Sequence, residues 1–254
     1  MRIHGFPADA FPAIVAHRGT PVTRPENTLA SFEEAIRLGA RIVEFDVRLS
    51  ADRVPVVIHD ATVDRTTDGT GAVNELAAHE LERLDAGDGE RVPTLAATLD
   101  ALSGRAAAAI EIKNLPGEPG YDPSGEPTVA AVHEALRRTR FDGPVLVISF
   151  DPRSIEGSKA IDASVPTGFL TTDLVHPDEA LAHAVGVGHE MVLPGTRSLA
   201  PVASAFVERA HAAGIRVGTW TADDADEVRA LLSIGVDAVA SNDPATALGV
   251  LREA

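Results

Sequence analysis

The chain predicts a closed (β/α)8 barrel, and three observations carry that expectation. Its 254 residues match the roughly 250 that such a barrel takes. Short apolar runs alternate with amphipathic helix-length segments, as parallel strands joined by helical crossovers must. Several of those runs also end in ionisable residues, and a barrel opens its active face at the C-terminal ends of its strands. With 44% hydrophobic residues the composition supports one large core, so a single domain over 1–254 is expected.

The apolar run 13–16 ends in His17-Arg18-Gly19 and reads as a buried first strand leading into a functional loop. Asn27 or Thr28 can cap a helix that carries Leu29, Phe32 and Ile36 near one face and stops at Gly39. Residues 41–48 form the second strand, whose alternation sets Glu44 and Asp46 on one face. Residues 54–59 also read as a strand. Only 49–53 separate it from the second strand, too few for a parallel crossover, so it should fold back antiparallel and carry His59 at its end.

Residues 61–93 read as a largely polar, acidic insertion over the active end, with a short helix at 76–84. From there the period is regular. Strands are expected at 107–113, 145–150, 167–171, 191–193, 217–221 and 238–241. Helices are expected at 94–102, 127–138, 154–161, 177–184, 202–213, 224–232 and 245–251. Setting the fold-back strand aside, eight strands remain. The Gly- and Pro-rich stretch 115–127 should be a loop over the same face.

Glu111 and Lys113 repeat the spacing of Glu44 and Asp46 on the adjoining strand, so three carboxylates face a common space. Crowded carboxylates repel unless protonated or neutralised, and a hard divalent cation, Mg2+ or Ca2+, neutralises them with oxygen ligands alone. The plainer alternative pairs Glu44 with Arg41 or Arg48, and Glu111 with Lys113. Two histidines, His17 and His59, suit general acid-base work near neutral pH. Arg18 offers a planar fork for phosphate oxygens and Lys113 a second cation. Trp220, the only tryptophan, falls at a strand end where it would wall a pocket or merely pack. Together these read as phosphoryl transfer. TTDGTG at 66–71 lacks the Lys-Ser/Thr ending of a phosphate loop and reads as turn chemistry. The remaining histidines, His133 and His189 among them, are expected to be solvated.

The formal net charge of -16 repels nucleic acid and anionic membranes. With no cysteine, disulfides, thiolate nucleophiles and zinc-thiolate sites drop out. No window approaches the ~20 apolar residues of a membrane span. A small-molecule ligand and a cytoplasmic location are expected; a homodimer is compatible with the composition.

These residues carry a resemblance. AHRG with PENTLASFEEAIRLGA, then VEFDVRLSADRVPVVIHDATVDRTTDGTG, VPTLAATLD, EIK, and the later WT and GVDAVASNDP make the chain similar to glycerophosphodiester phosphodiesterases. The resemblance implies a metal-dependent barrel that hydrolyses glycerophosphodiesters to glycerol 3-phosphate and an alcohol. It implies His17 and His59 as the acid-base pair, Glu44, Asp46 and Glu111 as metal ligands, and Arg18 and Lys113 as phosphate contacts. It also suggests that Trp220 packs against the glycerol. Attack by the glycerol hydroxyl through a cyclic phosphate and attack by water both fit. A phospholipase D-like barrel acting on lysophospholipids and a non-catalytic metal- or phosphate-binding barrel are the alternatives. Two positions depart from the family pattern: Asp223 stands where Asn is usual, and Ser241-Asn242 where Thr-Asp is usual. Asp223 could cap the following helix, or face the pocket and favour a cationic alcohol group.

Overall fold

The computed structural model describes residues 3–200 and 202–253. Strand β1 (Ala13–His17) leads through the HRG turn to α1 (Leu29–Leu38), and β2 (Ile42–Leu49) follows. Thr28, rather than Asn27, caps α1 by accepting from the Ser31 N–H, and Gly39 ends it in the left-handed conformation at φ 102°. The chain then folds back as β3 (Pro55–Val57), antiparallel to β2, with Val47 opposite Val57.

Helices α2 (Ala78–Leu81) and α3 (Leu95–Leu102) precede β4 (Ala107–Ile112), α4 (Glu126–Thr139), β5 (Val145–Ser149), α5 (Pro152–Ile161) and β6 (Thr167–Thr171). Then come α6 (Pro177–Val187), β7 (Met191–Pro194), α7 (Thr196–Leu199), α8 (Ala203–Ala212) and β8 (Arg216–Thr219). The last elements are α9 (Ala225–Ser233), β9 (Ala238–Ser241) and α10 (Pro244–Glu253). Strand β1 pairs in parallel with β2 on one side and β9 on the other, which closes eight parallel strands into the expected barrel.

Alternation along each strand sorts the core into two layers. Outward residues such as Val43, Phe45, Val47 and Ile110 pack under the helices, and inward ones such as Val15, Ile42, Ala109 and Leu146 fill the barrel. Phe45 is fully buried against Phe32 of α1, ring centroids 5.7 Å apart; its loss to alanine would cost about 3–5 kcal/mol. The inward layer is built from small residues on several strands. A Cβ on Gly168 would come within 2.5 Å of Leu193 Cδ1, so glycine there lets Leu193 lie across the interior. These inward residues line a cavity of about 190 Å³ that opens toward the C-terminal ends of the strands.

Three expectations change. The helix read at 76–84 is a 3-10 turn at Val73–Glu75 followed by the short α2. Glu80 reaches back to the Ala77 N–H and starts the helix late, and the mutual bonds of Asp68 and Asp85 then bend the chain away. The insertion is also less polar than its sequence suggests, since its Val63, Val73, Leu81 and Val92 pack with Val56 and Ile58 into a separate small core. Finally, His133 and His189 are buried, not solvated. His133 Nε2 meets the Ser158 hydroxyl between α4 and α5, and His189 Nδ1 meets the Thr167 hydroxyl, while His189 Nε2 stays buried without a hydrogen-bond partner beside the His183 ring. The additional turn α7 has no counterpart in the sequence reading.

Candidate active site

The opening HRG sequence brings the first charged groups together. Gly19 sits at φ +86°, and a Cβ there would come within 2.7 Å of the Ser31 backbone, so only glycine lets the loop pass this close to α1. Arg18 is itself left-handed at φ 54°. Its strain is held by three backbone bonds: its N–H donates to Glu44 Oε2, while its carbonyl accepts from the Asn27 N–H and the Ser31 hydroxyl.

Strand register does the rest. Glu44 stands opposite His17 on β1, and Asp46 opposite Glu111 on β4. Oxygen atoms of Glu44, Asp46 and Glu111 all lie within 4.8 Å of one another, and all three residues are buried. Lys113 Nζ lies 3.1 Å from Asp46 Oδ1 and 2.5 Å from Glu111 Oε1, and Arg18 Nε lies 3.3 Å from Asp46 Oδ2. The Glu111–Lys113 pair therefore exists beside the carboxylate cluster. Glu44 pairs with neither Arg41 nor Arg48: Arg41 reaches Asp9, and Arg48 reaches Glu118 and the His59 carbonyl.

The electrostatics of the three acids diverge. Burial pushes Asp46 up, but Lys113 and Arg18 together pull it well below the usual carboxylate range. Burial and the neighbouring Asp46 raise Glu44, and burial raises Glu111 despite its contact with Lys113. Glu44 Oε1 is buried without a hydrogen-bond partner. A divalent cation would meet that orphaned oxygen and lower the cost of ionising both glutamates, so the donor set fits a hard metal ion.

The two histidines flank this cluster. His17 Nε2 lies 3.9 Å from Glu44 Oε2, and its Nδ1 is 2.7 Å from Asn242 Oδ1. His59 Nδ1 is 2.6 Å from Asp60 Oδ1. Burial, helped by Arg18, holds the His17 ring below its ordinary value, and burial does the same to His59. Both rings thus favour the neutral form. Trp220 walls the cavity opposite, donating from Nε1 to the Leu193 carbonyl and meeting Phe150 edge-on at 5.3 Å.

All eight residues singled out in the sequence therefore line or adjoin one space. Others were not singled out. Asn27 grips Asp46 through its side-chain amide, donating from Nδ2 to Oδ2 at 2.7 Å, although the sequence reading offered it only as a helix cap. Arg65, from the insertion, forks onto both Asp60 and Glu26, and Glu26 in turn accepts from Arg18. The adjacency of Asp60 to His59 was the one signal available for this network. Asp223 does neither of the things anticipated for it. Asp224 caps α9, while Asp223 lies outside the cavity wall and accepts from the Ser241 hydroxyl and from the backbone and side chain of Asn242.

Comparison with known proteins gives the geometry a family. The model of the glycerophosphoryl diester phosphodiesterase family matches residues 17–246. This chain belongs to that family. A glycerophosphodiester phosphodiesterase of Caldanaerobacter subterraneus subsp. tengcongensis is 32% identical over 253 residues, covering 94% of this chain and 98% of its own. An Oleispira antarctica phosphodiesterase solved in complex with the product sn-glycerol-3-phosphate superposes with a TM-score of 0.86 at 29% identity, covering 95% and 97% of the two chains. The enzyme of Agrobacterium tumefaciens strain C58 gives 0.78 at 28%, covering 94% and 99%. As a member of the family, the chain is a phosphodiesterase that hydrolyses glycerophosphodiesters to glycerol 3-phosphate and an alcohol. No helix among its described residues is long and apolar enough to cross a membrane.

Proposed function

We propose that this phosphodiesterase works with one divalent cation, Mg2+ or Ca2+, held by Glu44, Asp46 and Glu111, and with His17 and His59 as its general acid-base pair. The single observation that carries the reading is the convergence of three buried carboxylates between two imidazole rings. A cation bound there would polarise the phosphoryl group and lower the pKa of the attacking oxygen. One histidine removes the proton of the attacking hydroxyl or water, and the other donates to the departing alkoxide. Each ring is anchored through Nδ1, which leaves Nε2 as the atom that exchanges the proton. Arg18 and Lys113 offset the phosphate charge, with the acids around them keeping both side chains in place. Trp220 packs against the glycerol, whose carbon skeleton suits an indole face.

The assay is release of glycerol 3-phosphate from glycerophosphocholine after EDTA treatment and again with Mg2+ or Ca2+ restored, with His17→Ala as control. Metal-dependent activity that vanishes in the variant is the expected result; activity indifferent to chelation would overturn the cation. One observation favours a second substrate class. The cavity continues inward along an apolar wall of Leu146, Ile148, Leu170 and Met191, which an alkyl chain of a lysophospholipid could enter. Turnover of lysophosphatidylcholine exceeding that of glycerophosphocholine would establish it.

A further inference from the structure

We infer that Asp223 is a positioning residue that fixes the tautomer of His17 by dictating which way the Asn242 amide points. The inference rests on the proton-transfer role of His17 proposed above. An asparagine side chain is ambiguous at its outer end: it can present either a carbonyl oxygen, which accepts, or an NH2, which donates. The partner of the other end decides. Asp223 Oδ2 lies 2.8 Å from Asn242 Nδ2, and its Oδ1 accepts from the Asn242 backbone N–H at 2.6 Å. An ionised carboxylate can only accept, so the NH2 of Asn242 must face Asp223. The amide oxygen must then face His17, whose Nδ1 stands 2.7 Å away.

That oxygen accepts and cannot donate, so Nδ1 of His17 must carry a hydrogen. In the neutral ring Nε2 then holds the lone pair, on the side of Glu44 Oε2 at 3.9 Å. The order of groups is thus carboxylate, amide, imidazole, with the carboxylate one residue removed from the ring. Its position is secured independently, since the Ser241 hydroxyl donates to Asp223 Oδ1 at 3.1 Å and accepts from the Asp243 N–H at 3.1 Å. Asp223 and Asn242 sit just beyond the ends of β8 and β9, which pair in parallel through Gly218 with Ala238 and Thr219 with Val239. The barrel itself therefore sets their spacing.

The amide has no such constraint if Asp223 is lost. It can then rotate to offer NH2 to Nδ1, which selects the tautomer with hydrogen on Nε2 and removes the lone pair from the reactive side. Nitrogen-15 NMR of the histidine rings tests this directly, in the full-length protein with Mg2+ present, at about pH 8 where an ordinary imidazole is neutral. The His17 signals are identified by their loss in His17→Gln. The wild type should show hydrogen on Nδ1 and a bare Nε2. Asp223→Asn keeps the shape of the side chain but can donate, so it should shift His17 toward the other tautomer. It should also lower kcat by about 10- to 100-fold, the usual loss for an outer partner of a functional histidine, with KM little changed. The exchanged pair Asp223→Asn with Asn242→Asp restores an accept-only group beside Nδ1 and should return the wild-type tautomer. A wild-type His17 already carrying its hydrogen on Nε2, or single-variant signals identical to wild type, would overturn the inference. The NMR outcome is independent of which diester is turned over, so failure here and failure of the proposed function are separable.

Discussion

The two sides of the barrel mouth are built from opposite materials. Strands β1, β2 and β4 deliver His17, Glu44, Asp46, Glu111 and Lys113, whereas β5 to β7 deliver Ile148, Phe150, Leu170 and Leu193, and Trp220 follows β8. One arc carries nearly all the charge, and the other carries almost none. The difference teaches how a site can hold several buried charges without destabilising its fold. The charged arc concentrates its acids and bases on adjoining strands, where Lys113, Arg18 and Asn27 neutralise or bond them at close range. The apolar arc meanwhile excludes water and strengthens the fields that the charged arc sets up.

Removing the proposed cation should break this division most completely. Chelation is expected to bring turnover to background, with recovery on addition of Mg2+ or Ca2+, and to leave the apolar arc unaffected. The pH dependence has a definite sign. Glu44 and Glu111 are raised above the ordinary carboxylate range in the ion-free protein, so a cation must displace protons from them as it binds. Its apparent affinity should weaken as pH falls and strengthen as pH rises. Calorimetric titration in buffers of different ionisation enthalpy would report the released protons, and an affinity independent of pH between about 6 and 8 would contradict the carboxylate site.

The histidines come next. His17→Ala and His59→Ala should each lower kcat by about 10²- to 10⁴-fold, as loss of a general acid or base does. Their supports differ, since His59 bonds a carboxylate and His17 an amide. Single-turnover measurements with a diester bearing a good leaving group would sharpen the contrast. The variant that lacks the general acid should recover much of its rate on such a substrate, and the one that lacks the base should not. Equal recovery in both would sink the division of labour.

The charged arc was legible in the sequence for a physical reason. Ionisable residues at every second position of an otherwise apolar run have few structural explanations, and the period of two fixes which way they face. The sequence alone thus places Glu44, Asp46, Glu111 and Lys113 together, and the barrel follows from its count of strands. The partners of these residues were not legible, because they come from irregular backbone. Asn27 reaches Asp46 only by taking a left-handed conformation at φ 58°, which no periodicity announces. Asn242 and Asp223 meet beyond the ends of two strands although they lie 19 residues apart in the chain. The burial of His133 on α4 and of His189 in the turn before β7 was not legible, because a histidine on a helix or loop is indistinguishable from a solvated one until its neighbours are known.

Arg65 is the clearest case of a partner invisible in sequence, and it offers the next largest effect. Its guanidinium bonds Asp60 through Nε at 2.6 Å and Glu26 through Nη2 at 2.8 Å. The Arg65 bond, with that of His59, holds Asp60 well below the usual carboxylate range, so the carboxylate that orients His59 stays ionised. Arg65→Ala should lower kcat by about 10- to 100-fold while leaving cation affinity unchanged, because Glu44, Asp46 and Glu111, the proposed ligands, do not touch it. Arg65→Lys should restore little, since one ammonium cannot fork onto two carboxylates. A parallel loss of cation affinity would show that the insertion supports the whole site and not His59 alone.

Trp220 should give the smallest effect and a different kind of effect. It stands on the apolar arc, held by its bond to the Leu193 carbonyl at 3.0 Å and by its edge contact with Phe150, and it carries no proton or charge that the reaction needs. If its part is to pack against the substrate equally before and during reaction, Trp220→Ala should raise KM about tenfold, the equivalent of about 1.4 kcal/mol, with kcat little changed. Trp220→Phe, which keeps a flat apolar face but loses the bond to Leu193, should fall between the two. A variant that lowers kcat while sparing KM would place Trp220 among the groups that respond to the transition state, and the separation between a reacting arc and a recognising arc would fail at that residue.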